Sequence, residues 1–79
     1  MDDTERKSLQ RLHREWTATL GKLLEEGKEM CRVLSEITVH PVSSAQRLAI
    51  MEQRIKENAA QGAYDAARQA LFKLAGWGV

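Results

Sequence analysis

Large apolar side chains recur every seventh residue through the first half of the chain, at Leu9, Trp16, Leu23, Met30 and Ile37. That repeat keeps the five on one side of an α-helix, and Leu12, Leu20, Val33 and Leu34 widen the stripe. A helix carrying such a stripe draws most of its stability from whatever packs on it. The register therefore commits the chain to a fold built by helix packing.

Three helical segments are predicted within a single all-α domain spanning residues 1–79. The first covers about 4–38, with Asp2 and Glu5 spaced as a capping box and Asp3 adding negative charge at the positive end of the helix. Gly21 and Gly27 lie inside it, each costing about 1 kcal/mol relative to Ala, and either permits close approach of another backbone. The β-branched run Ile37, Thr38, Val39, followed by His40 and Pro41, ends it. Ser43 and Gln46 have capping-box spacing and open a second helix over about 44–61, with an apolar face of Ala45, Leu48, Ala49, Met51, Ile55 and Ala59 and a surface ion pair from Glu52 to Lys56. A third, over about 63–75, places Tyr64, Ala67, Leu71 and Leu74 together and closes at Gly76.

Gly62 decides the architecture. Leu48 and Ile55 point along one phase and Tyr64, Leu71 and Leu74 along another, which favours a chain reversal at Gly62. The long first helix then packs with two shorter ones as a three-helix bundle, and Trp77 falls near Ile37. The alternative is a long two-helix antiparallel hairpin, since one glycine inside a helix costs just about 1 kcal/mol. Trp77 then falls near Lys7 and Leu9.

The run Gly62, Ala63, Tyr64, Asp65, Ala66, Ala67 resembles the turn and second-helix opening of a tetratricopeptide repeat, with Leu71 at that family's large aromatic position. The resemblance covers about a third of the chain and implies a helix–turn–helix centred on Gly62. Met51, Arg54, Ile55 and Asn58 depart from the family's first-helix pattern.

Composition excludes more than it selects. Twelve Lys and Arg against eleven Asp and Glu leave a net charge of +1, with no bulk drive toward nucleic acid or an acidic membrane. No apolar run approaches the roughly 20 residues that span a bilayer. A single cysteine, Cys31, forms no intramolecular disulfide, and the mostly charged stretch from Met1 to Arg11 is unlike a signal peptide, so cytoplasmic residence is expected. Small chains bury only about 60% of their unfolded surface, which makes help from a partner or a second copy attractive.

Chemistry-bearing residues are sparse. His13 and His40 are far apart along the first helix and its end, and Cys31 adjoins Met30 on the apolar stripe. Glu25, Glu26 and Glu29 are interleaved with Lys22, Lys28 and Arg32, which reads as a solvated face of weak ion pairs. Helical di-iron, phosphate-loop and paired-cysteine motifs are missing. No catalytic residue, cofactor or metal is therefore expected. The expected function is a small non-catalytic protein–protein interaction module of the adaptor, assembly or secretion co-chaperone, or inhibitor and regulator kind.

Its predicted docking surface, for a protein partner or a homodimer, is Leu9, Leu12, Trp16, Leu20 and Leu23. In a long hairpin the second helix would cover that stripe, and the surface would move to another face. The alternative function is a nucleic-acid-associated regulator with phosphate contacts from Arg6, Lys7, Arg11 and Arg14. Glu5 and Glu15 interrupt that cluster, and no aromatic is interleaved with it for base stacking.

Overall fold

The computed structural model describes residues 2–38 and 41–76. It has two helices, α1 (Asp3–Ser35) and α2 (Ser44–Ala75), which pack along each other as an antiparallel hairpin. The Cα atoms span 59 × 18 × 14 Å. The predicted chain reversal at Gly62 is not there: α2 runs through it without a break, so the three-helix bundle gives way to the hairpin. The run resembling a repeat turn, Gly62 to Ala67, is likewise uninterrupted helix. Trp77 lies outside the described residues.

Each helix end is closed by local chemistry. The Asp2 carboxylate accepts from the Glu5 backbone N–H at 2.8 Å, satisfying one of the orphaned donors of the first turn. At α2, the full capping box forms: the Gln46 N–H donates to Ser43 Oγ at 3.1 Å, and the Ser43 N–H donates to Gln46 Oε1 at 3.0 Å. Gly76 closes α2 in the left-handed conformation, with φ 75°, where a side chain would be strained. The first helix stops at Ser35, three residues short of the predicted end at Thr38. Ser35 Oγ donates back to the Arg32 carbonyl at 2.7 Å, a side-chain bond that competes with continuation of the helix.

The seam explains why Gly62 does not break α2. The residues of α2 that turn toward α1 are Gln46, Ile50, Gln53, Glu57, Ala60, Tyr64, Ala67 and Leu71, all buried or half-buried. They alternate four and three residues apart on both sides of Gly62, in one unbroken phase. Leu48 and Ile55 are not part of it. They are 55% and 68% exposed, Met51 is 62% exposed, and Ala45 and Ala59 face solvent with them. Of the predicted apolar face of the second helix, only Ala49 is half-buried. A β-carbon built at Gly62 meets no atom within 4 Å. Gly62→Ala is accordingly expected to raise stability by about 1 kcal/mol, the propensity difference in a helix interior. Urea denaturation followed by circular dichroism checks this, and a loss of stability would indicate a turn at that residue.

Candidate functional site: the helix seam and the faces it leaves open

The α1 side of the seam follows two lines of a heptad. Leu9, Trp16, Leu23, Met30 and Ile37 form one, and Leu12, Thr19, Glu26 and Val33 form the other; all are at least half-buried. The α2 side is more mixed, with Ile50, Tyr64 and Leu71 set among the small or polar Gln46, Gln53, Glu57, Ala60 and Ala67. Enclosure is modest: Ala60 and Leu71, at 6% and 7% exposure, are the most enclosed apolar residues described, and no described side chain is fully buried.

Trp16 anchors the outer part of the seam. Its ring centroid lies 5.8 Å from that of Tyr64 and 5.7 Å from that of Phe72, the latter edge-on, with His13 edge-on at 6.3 Å. Arg68 covers the other ring of this group, its Cζ 6.0 Å from the Phe72 centroid. The Trp16 indole Nε1 is buried without a hydrogen-bond acceptor.

Nearer the connection between the helices, a polar pair replaces apolar contact. Gln53 Nε2 donates both to the Glu26 backbone carbonyl at 2.9 Å and to the Glu26 carboxylate at 3.1 Å. Glu26 is 8% exposed and Gln53 4%, and Lys22 Nζ reaches the second carboxylate oxygen at 3.1 Å. The sequence reading placed Glu26 on a solvated face. Its seventh-residue relation to Leu12, Thr19 and Val33 is the signal that puts it in the seam, and Gln53 occupies the matching line of Gln46, Ala60 and Ala67. Lys56, predicted to pair with Glu52, instead lines an open groove with Lys22 and Glu26.

The Lys22 ammonium bonded to Glu26 holds its carboxyl below the ordinary value of 4.5 against the opposing effect of burial, with the Gln53 hydrogen bond and the Lys56 charge helping. Glu29 is lowered in the same direction, chiefly by its hydrogen bond from Arg32. A carboxyl more acidic in the fold than in the unfolded chain stabilises the fold above its unfolded pKa, and that contribution disappears as pH falls through the folded value. Thermal stability is therefore expected to be level from neutral pH to about 5 and to decline below about 4.5, as for carboxylates generally paired in the fold. Glu26→Gln should flatten part of that decline in melts followed by circular dichroism across the same pH range.

The five predicted docking residues separate. Leu9, Leu12, Trp16 and Leu23 face the seam, and α2 covers them; Leu20 is 40% exposed. The condition under which the docking surface moves to another face is thus met. Of the predicted phosphate contacts, Lys7, Arg11 and Arg14 line one shallow depression, but Arg11 pairs with Glu15 at 2.9 Å and Arg6 with Asp3 at 2.7 Å. Among the described residues no three His, Cys, Asp or Glu side chains converge as metal ligands, and no helix is long and apolar enough to cross a membrane. His40 lies outside the described residues.

Beside the seam runs a second apolar line on α1: Leu20, Leu24, Gly27, Cys31 and Leu34. Leu24 is 57% exposed and Leu34 49%, Cys31 is exposed, and the spacing again alternates four and three. The chain matches no protein-family model, no curated protein and no solved structure. A functional reading therefore rests on these faces. Leu24, Gly27 and Cys31 border an open groove whose opposite wall is Glu57 and Gln61 of α2. A separate exposed group, Leu48, Met51 and Ile55, lies elsewhere on α2. Sequence reasoning counted Leu20 and Leu34 as part of the first stripe and did not separate this second one. The separating signal is that positions 20, 24, 27, 31 and 34 continue the four-three alternation by themselves.

Proposed function

We propose that the protein is a non-catalytic helical interaction module whose docking surface is the Leu20, Leu24, Gly27, Cys31, Leu34 line of α1. The observation that carries this is a heptad-spaced apolar line whose side chains, Leu20, Leu24, Cys31 and Leu34, stay exposed after the intramolecular seam is complete, with Gly27 half-buried between them. Exposed apolar surface of this kind is normally covered by another protein, and a helix presenting residues at this spacing offers knobs for a partner helix or groove. An adaptor, an assembly co-chaperone and a small inhibitor share this mechanism.

Cys31, the single thiol, sits on the line and supplies the probe. A photo-crosslinker attached there is expected to give discrete protein adducts in native lysate, whether with a second copy or with another protein. Leu34→Lys should abolish them while leaving the helical circular dichroism intact. Absence of any adduct that depends on Leu34 would overturn the reading.

A further inference from the structure

We infer that the occupant of this line is a second copy of the same chain, with the two α1 helices crossing antiparallel at Gly27 to make a four-helix assembly; the inference rests on the interaction reading above. Exposed area points to a second copy. A compact monomer of 8.9 kDa exposes about 4,800 Å². This hairpin exposes 6085 Å². The difference, roughly 1,300 Å², exceeds the roughly 800 Å² that each side contributes to a standard interface. A two-helix chain has no third layer of its own to cover that surface, whereas a second hairpin supplies it.

The line is also self-complementary. A two-fold interface must present the same patch to itself, so its residues have to pair across the axis. With the axis at Gly27, Leu20 meets Leu34 of the second copy, since each lies seven residues from Gly27 in opposite directions, while Leu24 and Cys31, three residues before it and four after, flank the crossing. The two charges bordering the groove, Lys28 and Glu57, are of opposite sign, and the chain carries a net charge of only +1, so copies meet without strong repulsion.

Gly27 itself points the same way. It costs about 1 kcal/mol of helix propensity, yet within the hairpin a β-carbon there would meet no atom inside 4 Å. The hairpin has no use for a glycine at that position. Two helices crossing there do, because the missing side chain lets the backbones close up. Gly21 is equally unhindered in the hairpin but lies off the line, which makes it the control.

Sedimentation across micromolar concentrations tests the inference. The wild type is expected to run as a dimer. Gly27→Ala should keep or raise helical content while weakening self-association about tenfold or more, and Leu24→Lys should weaken it about a hundredfold, the effect of a central interface residue. Gly21→Ala should leave association unchanged. A monomer at all concentrations, or a dimer indifferent to Gly27→Ala, overturns the inference. The crosslinking arm separates the two readings: a monomer that still gives Leu34-dependent adducts with a different protein removes the second copy and keeps the interaction module, while a monomer without adducts removes both.

Discussion

Replacing half-buried Trp16 with alanine is expected to cost about 3 kcal/mol, the low end of the range for truncating a large core aromatic to a methyl group. For a chain of 79 residues the whole stability is of the order of 4–12 kcal/mol, so a large share of it would go. The loss concentrates there because Trp16 touches both Tyr64 and Phe72 and is the joint through which the outer part of α2 is held to α1. Trp16→Phe is expected to cost far less, since it keeps a ring in place and removes the indole N–H that is buried without an acceptor. Urea denaturation read by far-ultraviolet circular dichroism measures both. An alanine variant that dissociates an assembly but leaves the hairpin stability unchanged would mean that Trp16 acts between copies instead of within one.

The second large effect belongs to the Glu26–Gln53 pair. Gln53→Ala removes the donor to both the Glu26 carbonyl and its carboxylate, and is expected to cost about 2 kcal/mol, the penalty for leaving buried acceptors unsatisfied plus the lost packing. Replacing both residues with leucine is expected to restore or exceed wild-type stability, because an apolar pair of similar size carries no desolvation cost. What the double variant should lose is uniqueness. A buried, hydrogen-bonded polar contact at one level of the seam fixes which residues of the two helices lie opposite each other, and without it the helices can slide by a heptad. Stability comparisons of the single and double variants, with disulfide trapping between engineered cysteines in the native and shifted registers, would reveal both effects.

That polar level also marks where the sequence stopped being readable. The stripe from Leu9 to Ile37 and the caps at Asp2, Ser43 and Gly76 could be read directly, because heptad spacing and capping rules depend on a few residues in known positions. The packed face of α2 could not. Its seam carries Gln46, Gln53 and Glu57, while Leu48, Met51 and Ile55 point elsewhere, so a search for the most apolar face selects the wrong side of the helix. The apparent phase change at Gly62 has the same origin, since Leu48 and Ile55 lie off the seam to which Tyr64 and Leu71 belong. The exposed line on α1 was hidden for a related reason: Leu20 and Leu34 lie close enough to the seam to be counted with it.

The placement of the aromatic group far from the connection between helices has a kinetic consequence. Ser35 and Ser44, the adjoining ends of α1 and α2, are close in sequence and so meet at small entropic cost, and pairing can begin there and zip outward past the Glu26–Gln53 level. Trp16, Tyr64 and Phe72 meet late in that sequence, and in reverse they resist the fraying that starts at the free ends. They act as a clasp on an otherwise open pair of tongs, and loosening them would expose the long stripe of α1 while the turn end is still closed.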